Sequence, residues 1–281
     1  PAMDSNSSTI HQSSGTTPRD WALAWSEHLL RSGLEANLRR AGVTEETFWE
    51  RFGKWTETIE RTGYPGELLH RTLRLVSPTD RVLDIGAGAG TYAIPLARVT
   101  AHVTAVEPSP VQASRLEANI HAAGLDNVTV VRSRWEDIDS STIGQHDVVL
   151  AVFCFQMHGI RSALETMCGA SLRSLVLIHA AHHDLTDTLR ELLGIEPGPN
   201  YIYLKEVLRS MGHDPQVELV TRTYRVSLEV QMNIFRYNPG LTDEQCRRLR
   251  DYLESQERLL EDNDEVMLER TNTAAIVHVV L

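Results

Sequence analysis

Asp84, Gly86, Gly88, Gly90 and Glu107 are the residues whose types and spacing point most directly to chemistry. They fall in Arg81–Gly90, R-V-L-D-I-G-A-G-A-G, and in His102–Glu107, H-V-T-A-V-E. A short apolar strand running into closely spaced glycines, then into a helical pattern over Thr91–Val99, brings backbone amides and a helix N-terminus close to a ligand. Ala87, between two of the glycines, shares that approach. Glu107 ends the next strand, just before Pro108, where a carboxylate accepts hydrogen bonds from both hydroxyls of a ribose. A second group of polar residues follows later strands: Gln156 and His158, then His179, His182 and His183. Histidine there offers a base that titrates near neutrality.

The glycines run G-x-G-x-G, and Thr91 stands where the dinucleotide fingerprint G-x-G-x-x-G wants its third glycine. With Asp84 two residues ahead of the first glycine, these two strands resemble motifs I and II of class I S-adenosylmethionine (SAM) dependent methyltransferases. The resemblance covers Asp80–Thr188 and the final two strands. It implies a doubly wound α/β fold with a seven-stranded, mostly parallel sheet and a terminal antiparallel strand. It implies SAM as cofactor, S-adenosylhomocysteine as product, Asp84 at the methionine end and Glu107 at the ribose. In the family the turn after the third strand holds the adenine, which here assigns Trp135 and Glu136. A half-buried tryptophan on a surface turn is the plainer alternative. Phe153 opens the family's motif IV position, F-C-F-Q-M-H, where the strand end meets both cofactor and acceptor. That segment has neither the [DNS]-P-P-[FYW] signature of amino-methylating enzymes nor a prolyl-cysteine nucleophile. Cys154 reads as packed.

The elements that must position these residues can be traced on either side. Trp21, Trp25, His28 and Leu29 share one helix face, and Phe48, Phe52, Trp55 and Ile59 another, with Thr44 as N-cap. A third helix is expected over Glu67–Val76 after the Gly63–Gly66 turn. Four of the five tryptophans lie in this cap. Ordinary packing accounts for such residues. A lid that places an aromatic near a cationic sulfonium is the sharper use, with Trp55 and Tyr64 as candidates. Strands are expected at Val128–Val131, His146–Val152, Ser174–Ile178, Val217–Val226 and Ala274–Leu281. Helices are expected at Ser109–Ala123, Leu185–Leu193, Tyr201–Met211 and Asp243–Leu260. Tyr201 and Tyr203 are placed on the substrate side. The resulting division is a disordered leader at 1–18, a helical cap at 19–78, and an α/β domain at 79–281 with a helical insertion at 227–273.

Composition bounds the function from outside. The chain has 281 residues and a formal net charge of -11, so it carries no global basic footprint for nucleic acid or an anionic membrane. Its three widely spaced cysteines form neither a disulfide framework nor a zinc knuckle. The apolar runs are strand-sized, and the expectation is a cytoplasmic protein. The expected function is methyl transfer to an oxygen, nitrogen, sulfur or carbon of a small molecule, mainly by proximity. His158, His182 and His183 are the candidate bases; Trp55, Tyr64, Gln156, Tyr201 and Tyr203 line the acceptor, with no metal and no nucleic-acid partner. Three roles stay open for the His179–His183 cluster: general base, ligand to a metal that orients a diol, or loop residues without catalytic consequence. An RNA or protein methyltransferase and a non-catalytic SAM-binding protein are the alternatives, and the oligomeric state is open, a homodimer included.

Overall fold

The computed structural model describes residues 19–262 and 265–281; the side chains of residues 53–60 and 140 are outside that description, as is the expected leader at 1–18. Four helices precede the sheet: α1 (Trp21–Ser32), α2 (Leu34–Ala41), α3 (Glu45–Arg61) and α4 (Glu67–Leu73). Their starts follow from capping chemistry. The Asp20 carboxylate accepts the amides of Ala22 and Leu23 at 3.1 and 3.0 Å, and Thr44 Oγ1 accepts the amide of Thr47 at 3.2 Å.

Eight strands follow: β1 (Arg81–Ile85), β2 (His102–Val106), β3 (Val128–Val131), β4 (His146–Val152), β5 (Ser171–His183), β6 (Gln216–Ser227), β7 (Leu259–Asp262) and β8 (Glu265–Val280). Interleaved with them are α5 (Ala93–Ala97), α6 (Pro110–Ala122), α7 (Ser140–Ile143), α8 (Ile160–Ala170), α9 (Thr186–Leu193), α10 (Tyr201–Ser210), α11 (Leu228–Tyr237) and α12 (Asp243–Ser255). The sheet order is β3-β2-β1-β4-β5-β8-β6, with β7 hairpinned onto β8. Strands β1 to β5 pair in parallel, and β8 runs antiparallel to both β5 and β6. This is the doubly wound, mostly parallel sheet expected from the sequence, enlarged by one short strand.

The period-two alternation of the strands divides the core into two layers. Leu83, Ile85, Val149, Leu175, Leu177 and Val277 pack with Trp25, Leu164 and Leu204 on one face. Val82, Val148, Leu150, Val176, Ile276 and Val220 pack with Leu68, Leu96 and Leu116 on the other. A third cluster, including Leu228, Phe235, Leu249, Leu253 and Leu268, holds the insertion together. Among the described residues, no helix is long and apolar enough to cross a membrane.

Several boundaries depart from the sequence reading, all on the same side of the molecule. Helix α12 stops at Ser255, so the expected helix to Leu260 gives way to β7. The last strand starts at Glu265 instead of Ala274, and β5 runs on through His183. The cause is mutual pairing: β8 zips onto β6 from Ser227↔Met267 to Gln216↔His278 and onto β5 as far as His183↔Asn272. Helices α2 and α11 were not anticipated.

The outer half of β8 is polar in sequence and is stabilised by a buried charge cluster. Arg270, 3% exposed, donates to Asp184 Oδ1 at 2.8 Å and to Gln231 Oε1 at 2.7 Å, and Arg258 also reaches Asp184. Burial alone would raise the Asp184 pKa; Arg270 and Arg258 outweigh it and hold the carboxyl below its ordinary value. Removing the acid strands two guanidinium groups. Asp184→Ala should therefore cost about 3–5 kcal/mol in chemical denaturation, and a cost under about 1 kcal/mol would show the cluster to be dispensable. The contribution of Asp184 is present above about pH 4, the unfolded carboxylate value, and is lost as pH falls through its lower folded value. The difference between wild type and variant should shrink in that acid window.

Candidate functional site

The glycine turn is locked between three strands. The amides of Gly86 and Ala87 both donate to Val106 O, at 2.8 and 3.0 Å, which fixes the loop after β1 to the end of β2. Gly86 has φ +71°, and a Cβ there would lie 2.3 Å from Cys154 Cβ. At Gly90, φ +99°, a Cβ would meet Leu116 Cδ1 at 2.7 Å. Gly88 differs: φ is +58°, but a Cβ would find nothing within 4 Å. Gly86 and Gly90 are thus needed for packing, and Gly88 leaves open space beside the loop.

Two buried acids flank that space. Glu107, 5% exposed, accepts the Gly88 amide at Oε2 and the Ser109 amide at Oε1, both at 2.8 Å. Burial raises its pKa, and those two amides oppose the rise. Asp84, 2% exposed, accepts the Ala93 amide at the start of α5, while its Oδ2 has no hydrogen-bond partner. Burial, with the neighbouring Glu107 charge, pushes Asp84 up to about 8. An unsatisfied buried carboxylate oxygen, a fixed second carboxylate and an open glycine cradle fit an adenosyl amino acid with an ammonium group at one end and a ribose at the other.

Beyond Asp84 lies a polar group that sequence reasoning missed. Tyr92, 4% exposed, lies beside both Asp84 and Tyr64, with its buried hydroxyl against that of Tyr64. Tyr64, whose hydroxyl burial pushes to about 12, leads on to Arg222 of β6, whose Cζ lies 5.4 Å from the Tyr64 ring centroid. Arg222 also stacks on Tyr224 at 4.2 Å, and Tyr224 accepts a hydrogen bond from Asn272 at 2.7 Å. Tyr92 carried one usable signal, its place just past the glycines. Arg222 carried none, because its environment is built by Tyr64 far away in the chain.

The strand ends position the rest. Phe153, the residue after β4, has φ +51° and is 42% exposed, although its amide is tied to Ile178 O at 2.9 Å. Such a conformation for an aromatic residue is strained, and here it turns a ring outward at the sheet's carboxyl edge. Cys154 donates to Ile85 O at 3.1 Å, and burial with the nearby Asp84 charge raises its thiol pKa, consistent with a packed and unreactive thiol. His182 and His183 are exposed and stand in β5 opposite Thr273 and Asn272, not in a loop; His183 hydrogen-bonds Asn272. His158 is exposed. His179 turns the other way, among Trp25 and Phe155, with Nε2 at 3.0 Å from Pro199 O, and burial lowers its pKa to about 4.

Helix α3 crosses above this edge, touching α6 beyond Glu107 at one side and β6 at the other. Glu45 at its start pairs with Arg134 at 2.9 Å, and Thr62 just past its end accepts Arg222 at 2.6 Å. The Trp55 side chain lies outside the described residues. Pro108, next to Glu107, and Glu136, in the turn after β3, are exposed.

Four expected site residues have other partners. Trp135 is 3% exposed and donates its indole N–H to Ala163 O at 3.1 Å, so it belongs to the core beneath α8 instead of an adenine wall. The Gln156 side chain accepts the Leu34 amide at 2.9 Å and anchors the start of α2. Tyr203 packs edge-on to Trp21, with its hydroxyl 3.2 Å from His28 Nδ1, and Tyr201 packs against the same core. The substrate-facing expectation for Gln156, Tyr201 and Tyr203 is replaced by these packing roles. A cavity of about 670 Å³ lies apart from the cradle, between α11 and α12, lined by Met232, Arg236, Cys246 and Arg250 among others.

Residues 82–175 match the family model described as a methyltransferase domain. The ribosomal RNA small subunit methyltransferase G of Mycolicibacterium smegmatis is 34% identical over 148 residues, covering 50% of this chain and 58% of that protein. The protein-L-isoaspartate O-methyltransferase of Methanoregula boonei is 45% identical over 65 residues, 23% of this chain and 28% of that one. The chain spans about half the length of the first curated relatives it matches. The crystal structure of the YcgJ protein from Bacillus subtilis superposes with a TM-score of 0.56 at 14% identity, covering 75% of this chain and 97% of that one, which is a likeness of fold.

The glycines can be separated experimentally. Gly88→Ala should cost about 1–2 kcal/mol for its left-handed backbone, whereas Gly86→Ala adds about 1–3 kcal/mol more for the collision with Cys154. Equal costs in urea denaturation would contradict the packing at Gly86. Asp84 binds its proton more tightly folded than unfolded. The stability it contributes is full below about pH 4 and drains away as pH rises through about 8. Asp84→Asn should flatten that decline, so melting curves of variant and wild type should converge in acid and diverge in base, the variant being the more stable there.

Proposed function

We propose, from the premise that this chain belongs to the class I SAM-dependent methyltransferase family, that it transfers a methyl group to a nucleophilic atom of a small molecule. The observation that carries the acceptor class is the position of α3. Its path from α6 to β6 roofs the carboxyl edge of the sheet with the chain's own residues, and both of its ends are tied down. A roofed cleft suits a compact acceptor better than a polymer laid across the edge. The formal charge of -11 works in the same direction.

Bound SAM supplies an electrophilic methyl group on a sulfonium sulfur, so the protein's task is alignment and exclusion of water. Glu107, already held by two backbone amides, offers its remaining lone pairs to the ribose hydroxyls. Asp84 Oδ2 accepts the ammonium of the methionine end. The outward Phe153 ring gives a sulfonium an aromatic face. Of the exposed histidines, His183 is the best-placed proton acceptor, because its ring is hydrogen-bonded to Asn272, which in turn holds the Tyr224 hydroxyl. A cytoplasmic setting is part of the same proposal.

The names of the relatives favour a second reading, an RNA or protein acceptor. Methyl-labelled SAM offered with a small-molecule extract, with total RNA and with protein separates the two: label in the extract supports the small-molecule reading, and label confined to RNA or protein overturns it. The cofactor is tested first by calorimetry with S-adenosylhomocysteine against NADH. Glu107→Ala should weaken S-adenosylhomocysteine by ~1.5–3 kcal/mol. Unchanged affinity would remove Glu107 from the site.

A further inference from the structure

We propose that Arg222 is a carboxylate-binding residue, held ready by Tyr64, Tyr224 and Thr62 at the far end of the cleft from Glu107. Its guanidinium is built into place from three directions. Nη2 donates to Thr62 Oγ1 at 2.6 Å, and the Cζ lies 4.2 Å from the Tyr224 ring centroid and 5.4 Å from that of Tyr64. Nη1 is buried and has no hydrogen-bond partner. Among the described residues no acid forms an ion pair with Arg222, and the titratable groups closest to it are the neutral phenols of Tyr224, Tyr64 and Tyr92. Its strand neighbour Arg270 shows the contrast, with Asp184 at 2.8 Å on the same face of the sheet.

A buried N–H of a permanent cation without an acceptor is costly, and two parallel N–H donors suit a carboxylate. Another unsatisfied group nearby narrows the ligand further. Asp84 Oδ2 is also buried without a hydrogen-bond partner. Tyr64 and Tyr92 feel both the Asp84 and the Arg222 charge, so the acid and the base stand on either side of one tyrosine pair without pairing with each other. An amino-acid head carries both complementary groups, an ammonium for the acid and a carboxylate for the guanidinium. That is the chemistry of the cofactor's methionine end. A carboxylate on the acceptor would supply the same group from the opposite side.

The inference rests on the methyltransferase reading for its choice of probes. Calorimetry would compare S-adenosylhomocysteine with its decarboxylated analogue S-adenosyl-3-thiopropylamine, on wild type, Arg222→Met and Arg222→Lys, each confirmed folded by melting. If the carboxylate belongs to the cofactor, Arg222→Met weakens S-adenosylhomocysteine roughly 10- to 100-fold, leaves the analogue unchanged, and Arg222→Lys falls between. If it belongs to the acceptor, both cofactor probes bind all three proteins alike, while benzoate binds the S-adenosylhomocysteine-loaded wild type and is lost from Arg222→Met. Indifference of every probe to Arg222 overturns the proposal. Should wild type bind no S-adenosylhomocysteine, the methyltransferase reading falls, and benzoate titrated into the unloaded proteins still decides Arg222.

Discussion

Two carboxyl groups, Asp84 and Glu107, are buried against one glycine turn, and much of the local structure serves to make that tolerable. Desolvating an acid is expensive, and a second acid nearby makes it more so. Glu107 is held by the Gly88 and Ser109 amides, one from the turn and one from the start of α6. Asp84 has the Ala93 amide alone and keeps one oxygen unsatisfied. The positive φ values of the glycines are therefore not a matter of flexibility. They aim the Gly88 amide at one acid while β1 carries the other into the core. A cationic group arriving at Asp84 shifts it from acid to carboxylate, so ligand occupancy and proton release are coupled at this position.

The cap and the insertion are attached to this centre by interactions of different strength. The Glu45–Arg134 pair at the start of α3 joins two side chains that are about half exposed, and such pairs contribute at most about 1 kcal/mol. At the other side, Arg270, Asp184, Arg258 and Gln231 form a largely buried cluster in which every member has a partner. Buried clusters of this kind add little net stability over an apolar core, but breaking one is severe. The insertion is therefore fastened to β5 and β8 by buried charges, whereas the ion pair at the start of α3 adds little to the packing of Phe48.

The sequence was most legible where chemistry and burial coincide. V-L-D-I-G-A-G-A-G has to be a strand entering a tight turn, and V-V-L-A-V has to be a buried strand, so β1, β2, β4 and the cradle were readable at once. The residues misjudged were polar ones inside regular structure. His179–His183 looked like a loop because histidines crowd it, yet β8 supplies every backbone partner that a strand needs. Glu265–Thr273 looked like part of a helical insertion because Arg270 and Asn272 interrupt its pattern, and neither Asp184 nor Tyr224 is near them in the chain. Trp135 was placed near a ligand by its position in the resembling turn and Tyr203 by its place on a covering helix, and both use their polar atoms to fasten core contacts. Arg222 needed the fold before its isolation from any acid could be seen.

Strand β8 carries a consequence for how the molecule is made. It lies between β5 and β6 in the sheet but follows both in the chain. During synthesis the outer edge of β5 is finished early and then waits, with its amides and carbonyls open, while residues 184–264 emerge. Strand β6 waits in the same way. Both are edges onto which a strand from another chain can add. The exposed His182 and His183 at the end of β5, and the alternating exposed Thr221, Thr223 and Arg225 of β6, put polar groups on strands that must stay unpaired for so long. A nascent chain stalled before Glu265 would thus present two unfinished edges at once, making the ribosome-bound state the stage most in need of chaperone cover.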